Sequence, residues 1–173
     1  MSEPAFDPVP LLDALQRHEV EFIVVGAAAA ISQGSPLPTY DLDVTPARSP
    51  RNIERLVAAL LDLDAKLRTP TEPVPFPVDA RMIAGGEAWT LDTSAGPLDL
   101  VFVPAGTQGY DDLRRNALSV DLGTGRPTLV ASLGDVIRMK EASNREKDRA
   151  QLPALRRTLE IVREREREGR ERS

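Results

Sequence analysis

Between Phe22 and Val44 the chain reads FIVVGAAAAISQGSPLPTYDLDV, and no other stretch limits the possible folds as much. An apolar run, Phe22 to Val25, stops at Gly26 and passes into the small residues Ala27 to Ala30. After a proline-broken turn comes Tyr40-Asp41-Leu42-Asp43-Val44, in which two acids alternate with apolar residues. On a strand, residues i and i+2 share a face, so Asp41 and Asp43 point one way while Leu42 and Val44 enter a core. Two carboxylates held a few ångströms apart repel one another unless a divalent cation sits between them. The stretch therefore predicts a buried strand, a short helix and a second strand carrying a paired-acid site.

The remaining chain falls into alternating elements around this unit. A first helix is expected over Pro8 to His18, with prolines in its opening turn and Leu11, Leu12 and Leu15 on one side. Glu21 to Val25 reads as a buried strand, Ala27 to Gln33 as a helix stopped by Gly34, and Tyr40 to Thr45 as the acid-bearing strand. Ser49 and Pro50 open an amphipathic helix carrying Ile53, Leu56, Val57, Leu60 and Leu61. Thr69 to Pro77, with four prolines, reads as a loop, and Asp79 to Glu87 has no clear period. Two hairpins follow, Ala88–Thr93 with Pro97–Val103 and Leu118–Leu122 with Pro127–Ala131, separated by a short helix over Tyr110 to Asn116. Ser132 to Asp135 has the form of a capping box opening a helix to about Asn144. A last helix carries Leu152, Leu155, Leu159 and Val162, with Pro153 expected to kink it or mark its first turn. From about Arg163 the chain is an alternating Arg/Glu tail, either a solvated helix or a frayed end.

The expected class is α+β: a mixed β-sheet flanked by helices, with a helical C-terminal part. At 173 residues this is one domain, a core over 1–131 with helices over 132–173 packing on it. The absence of cysteine excludes disulfides, cysteine-based zinc sites and cysteine nucleophiles, and suits a cytoplasmic location. No apolar run reaches membrane-span length, and the opening MSEPAFDPVP lacks the basic and apolar regions of a signal peptide. The one histidine, His18, is expected at an exposed helix end, which leaves no Ser-His-Asp triad. A net charge of −5 argues against indiscriminate nucleic-acid binding. Residues 146–173, however, carry nine Lys/Arg against seven Asp/Glu, so basic residues gather near the C-terminal end.

Taken alone, Asp41 and Asp43 fit either the polar face of an edge strand or a metal pair. Asp99 lies inside the apolar strand PLDLVFV, where an acid is costly to bury unless paired or metal-bound, or else sits at a solvated edge. Gly26, at a strand-to-helix junction, lets bare backbone approach phosphate oxygens. Lys140 falls on the inward stripe of Leu133, Val136 and Ile137; it either snorkels to water or awaits an anion such as a triphosphate. Asp148 is placed to orient Lys140 or Arg145.

Together these residues resemble the nucleotidyltransferase superfamily of the polymerase-β type: Val25-Gly26-Ala27, then Asp41-Leu42-Asp43-Val44, then Asp99 on a later strand. The segment Met139 to Asp148, MKEASNREKD, is similar to the K-x-x-x-x-R-x-K-D signature of the AbiEii and MenT group of toxin nucleotidyltransferases, and Thr39 matches that group's Thr two residues before the first acid. The likeness spans Phe22 to Leu155. Two positions depart from the pattern: Ala27 stands where the family carries Gly or Ser, and Leu37 where it carries Arg.

The resemblance implies an NTP-dependent enzyme in which Asp41, Asp43 and Asp99 hold Mg²⁺ or Mn²⁺. Gly26, Ala27, Lys140, Arg145 and Asp148 would form the nucleotide site, with Lys140 among the catalytic residues. It also implies a toxin paired with an antitoxin, some of which are kinases, and makes Thr39 a candidate for regulatory phosphorylation. The acceptor implied is a tRNA 3′ end, whose modification blocks translation; Arg145, Lys147, Arg149, Arg156 and Arg157 could seat it. A protein hydroxyl receiving AMP is the alternative acceptor, and a non-catalytic binding module is the reading that Ala27 and Leu37 favour.

Overall fold

The computed structural model describes residues 4–173, so Met1 to Glu3 of the expected core lie outside it. Helix α1 spans Val9–Arg17 and buries Leu11, Leu12, Ala14 and Leu15. His18 closes it and meets Asp62 at 3.1 Å. Strand β1 (Phe22–Val25) is buried throughout and runs directly into helix α2 (Gly26–Ser32). Strand β2 (Leu42–Pro46) follows, then helix α3 (Pro50–Asp62), which Ser49 caps by accepting a hydrogen bond from the Asn52 N–H.

The two-residue strand β3 (Lys66–Leu67) and its bridge to Val74 tie down a segment expected to be an irregular loop. The stretch without a clear period forms the short helix α4 (Ala80–Gly85), capped by the Asp79 carboxylate, with Gly86 closing it. Strands β4 (Ala88–Thr93) and β5 (Gly96–Val101) form the expected antiparallel hairpin, followed by α5 (Tyr110–Arg114). Strands β6 (Leu118–Asp121) and β7 (Pro127–Val130) form the second hairpin, and helices α6 (Leu133–Ser143) and α7 (Glu146–Glu171) complete the chain.

The strands form one sheet in the order β3-β4-β5-β2-β1-β7-β6. β1 pairs antiparallel with β2 and parallel with β7, while β2 runs parallel to β5, so the sheet is mixed. The class expected from the sequence is the one observed. Leu42, Val44, Leu98 and Leu100 are fully buried and fill one face with Leu56, Leu60, Ile83 and Leu91. Leu133, Val136, Ile137, Leu152 and Leu155 of the two last helices join the same core cluster. No helix among the described residues is long and apolar enough to cross a membrane.

One helix-end expectation is corrected, and for Pro153 the first-turn alternative is ruled out. Ser132 does cap α6 by accepting from the Asp135 N–H, but the Asp135 carboxylate pairs with Arg138 at 3.2 Å. Pro153 lies well inside α7, on its exposed side, where the Arg149 carbonyl it leaves without a donor can be hydrated. The Arg/Glu tail continues that helix to Glu171.

Candidate active site

The site is built where β2 and β5 lie side by side. In their parallel register Asp43 stands opposite Asp99, and on its other flank Asp43 stands opposite Val25, the last residue of β1. The strand begins at Leu42, so Asp41 precedes the ladder rather than belonging to it. Its carboxylate nevertheless converges with the other two: one oxygen from each of Asp41, Asp43 and Asp99 lies within 4.8 Å of the rest. Alternation along β2 and β5 sends Leu42, Val44, Leu98 and Leu100 into the core, which leaves the acids on the opposite face.

Gly26 is forced by this arrangement. Its φ is +66°, and a Cβ built there would collide with the Asp43 carboxylate, with Cγ at 3.2 Å and Cβ at 3.3 Å. A bare backbone is therefore needed for the strand-to-helix turn to pass over the acid. Ala27 follows in the first turn of α2 and lines the same cleft. Thr39 lines it too, and its hydroxyl donates to the Asp41 carbonyl at 2.8 Å. Leu37 packs against the core, an apolar contact where the resemblance leads one to expect an arginine.

Burial, then the charges of Asp41 and Asp99, push the Asp43 carboxyl up to about 7. Asp99 is also raised: burial and Asp41 lift it, while Arg68 pulls it back. Oδ1 of Asp99 is buried and receives no hydrogen bond. Crowded, partly desolvated oxygen ligands of this kind suit a hard divalent cation such as Mg²⁺ or Mn²⁺, and the residues present fit one.

Across the cleft the cations are organised by Asp148, which is only 1% exposed. It accepts from the Arg145 backbone N–H at 3.1 Å and from Arg145 Nε at 2.9 Å, and it meets Lys140 Nζ at 3.5 Å. Burial alone would raise its pKa, but hydrogen bonds from the Arg145 side chain, Ser143 and the Arg145 backbone hold it well below the usual carboxylate range. Lys140 is 14% exposed, so it does not snorkel free into water. All three line the cleft of about 680 Å³ that contains the acids. Lys147, which the sequence places with Arg145 as a possible partner of Asp148 and as an acceptor contact, also lines this cleft and forms no ion pair among the described residues; Asp148 pairs with Lys140 and Arg145 instead.

Arg68 was not foreseen. It follows the short strand β3, and nothing in the local sequence marks that strand or brings it beside Asp99. The guanidinium sits 3.1 Å from Asp99 and 3.0 Å from Asp92. Elsewhere, a hollow of about 400 Å³ around Met82 and Trp89 contains one acid, Asp79, whose carboxylate is already used to cap α4. The cleft with the three acids is therefore the candidate active site.

No family model matches the sequence, and no curated protein matches it. The fold is similar to that of two solved structures. Lincosamide antibiotic adenylyltransferase LnuA, in its lincomycin-bound crystal structure, is 13% identical over 85% of this chain and 92% of that chain, with a TM-score of 0.54. The antibiotic-resistance factor ANT(2'')-Ia, in its solution structure, is 15% identical over 91% of this chain and 88% of that chain, with a TM-score of 0.52. At these identities the likeness is one of fold, and the fold is nucleotidyltransferase-like.

Proposed function

We propose that this chain is a metal-dependent nucleotidyltransferase that moves a nucleotide from an NTP to a hydroxyl acceptor and releases pyrophosphate. The carrying observation is the convergence of Asp41, Asp43 and Asp99 in a cleft whose opposite wall bears Lys140, Arg145 and Lys147. The three acids would hold Mg²⁺ or Mn²⁺, which when bound supplies the positive charge that phosphoryl chemistry needs. Backbone N–H groups at Gly26 and Ala27 face the phosphates. Asp99, at the far side of the cluster from Gly26, accepts the proton of the attacking hydroxyl. The acceptor oxygen bonds to the α-phosphorus as its bond to the bridging β-phosphate oxygen breaks, and the leaving pyrophosphate meets Lys140 and Lys147. Asp148, 3.5 Å from the Lys140 Nζ, keeps that side chain aimed into the cleft.

The acceptor we favour is a tRNA 3′ end, which makes the chain the toxin of a toxin–antitoxin pair. What supports this is the Lys140–Asp148 segment and the short footprint a single-stranded end requires. A second reading, transfer to a small-molecule hydroxyl, is favoured by a specific observation. Arg156 and Arg157, which could have seated the acceptor stem, pair with Glu141 at 2.8 Å and Glu160 at 3.5 Å. It also accords with the lincomycin-bound adenylyltransferase that shares the fold.

The test incubates the chain with each labelled NTP, Mg²⁺ and, separately, total tRNA, a cell protein extract and lincomycin. Label at the tRNA 3′ end, lost steeply with salt and in an Arg156→Glu/Arg157→Glu double variant that still binds NTP, is the expected result. Label on lincomycin or on protein moves the acceptor to that class. No label anywhere, with no NTP binding by calorimetry, refutes the enzyme.

A further inference from the structure

Arg68 touches the third acid without belonging to any part of the site described so far. Its guanidinium is held by β4 on two sides: Nε donates to Asp92 at 3.0 Å and Nη2 to the Leu91 carbonyl at 2.6 Å. The remaining edge, Nη1, reaches Asp99 Oδ1 at 3.1 Å. That last contact lacks hydrogen-bond alignment, so charge rather than a directed bond holds the oxygen. The Arg68 side chain is 27% exposed and that of Asp99 21%, which keeps solvent screening of the pair modest.

We propose that Arg68 is a positioning residue that fixes the Asp99 carboxylate for transfer and, in doing so, weakens the site's hold on its metal ion; this rests on the nucleotidyltransferase reading. A guanidinium whose other N–H groups are anchored is a positive charge held at a fixed point, and it draws one Asp99 oxygen toward itself so that the other is left turned away. That second oxygen is the atom left to meet a metal ion or an acceptor hydroxyl. The same positive charge would stand beside any cation that Asp99 held, and the two would repel. Position and affinity are therefore set against each other by one side chain. A residue that merely supported the fold would not separate them.

The separation is measurable on the full chain with three variants. Arg68→Gln removes the charge and the guanidinium's reach while leaving a shorter, neutral hydrogen-bonding side chain. Arg68→Lys keeps the charge and removes the fork, and Asp92→Asn loosens the anchor while leaving Arg68 in place. Mn²⁺ titrated alone by calorimetry reports metal affinity, steady-state transfer reports kcat and the KM for NTP, and thermal unfolding reports folding. Arg68→Gln is expected to bind Mn²⁺ roughly tenfold tighter while kcat falls by roughly ten- to a hundredfold, with KM for NTP little changed. Arg68→Lys should bind Mn²⁺ as wild type does and lose part of kcat, and Asp92→Asn should lose kcat a few-fold at unchanged Mn²⁺ affinity.

If Arg68→Gln binds Mn²⁺ no more tightly than wild type, or if metal affinity, kcat and melting temperature fall together in every variant, the inference is overturned. Wild-type kcat in Arg68→Gln overturns it as well. A failed nucleotidyltransferase reading shows itself differently, as wild-type protein that neither transfers from nor binds any NTP.

Discussion

Removing one charge from the acid cluster should stabilise the metal-free protein. Asp43→Asn is the cleanest such change, because it preserves shape on a strand whose neighbours on both sides are fully paired. The Asp43 carboxyl is raised from 3.8 to about 7, first by burial and then by Asp41 and Asp99. Three pK units at 1.36 kcal/mol each set a ceiling of about 4 kcal/mol on the cost of ionising it in the folded state. The cleft is open to water and counter-ions, so about 2–4 kcal/mol is the working range. Between pH 3.8 and about 7 the folded chain retains a proton that the unfolded chain has released. Stability from this group is therefore complete below the lower value and is lost as pH rises through the upper one.

In EDTA, wild-type protein should thus melt at a higher temperature near pH 5 than near pH 8. Asp43→Asn should remove that slope and raise the pH 8 melting temperature by roughly 5–15 °C for a chain of this size. Millimolar Mg²⁺ should stabilise wild type at pH 8 and leave the variant unmoved, and the variant should have no transfer activity. Circular-dichroism melts at the two pH values, with EDTA and with Mg²⁺, decide the matter. A variant that is less stable than wild type at pH 8 in EDTA refutes the idea of a strained like-charge cluster.

Other sites make separate predictions. Gly26→Ala places a methyl group onto the Asp43 carboxylate at a φ of +66°; the strain of about 1–2 kcal/mol and the displaced acid should lower the melting temperature and abolish the Mg²⁺ shift, and an intact Mg²⁺ shift would contradict the packing argument. Asp148→Asn leaves half-buried Lys140 without its counter-charge and should cost about 3 kcal/mol in denaturant unfolding. Because the Asp148 pKa is depressed, its contribution is present above the usual carboxylate range and lost as pH falls, so wild type and variant should converge in acid unfolding. A phosphate on Thr39 would remove the hydroxyl's bond to the Asp41 carbonyl and add about −1.5 to −2 charges beside three acids; phosphorylated protein, verified by mass spectrometry, should lose NTP transfer, and full activity would refute the regulatory reading.

Much of this molecule is local enough to read in the sequence. The alternation Asp-Leu-Asp-Val determines which residues face the core, whatever the neighbouring strands do, because a strand's period is two. The two glycine-turned hairpins, the Ser49 and Ser132 caps and the leucine stripes of α1 and α3 are equally local, since each depends on residues within a turn or two of one another. The proline-rich stretch from Thr69 to Pro77 is the loop that its prolines predict, joined to Leu67 by one isolated bridge at Val74, whereas the strand Lys66–Leu67 before it is too short to have a period to detect. The acid cluster itself depends on distance. Asp99 reaches Asp43 only because β5 lies parallel to β2 in a register that sets the two opposite each other. The same holds for Arg68, brought to Asp99 by the edge pairing of β3 on β4, and for Lys140 and Arg145, gathered on one buried carboxylate where α7 leaves α6. Residue types and periods are properties of the chain, whereas which charges neutralise one another is decided by strand order and helix packing.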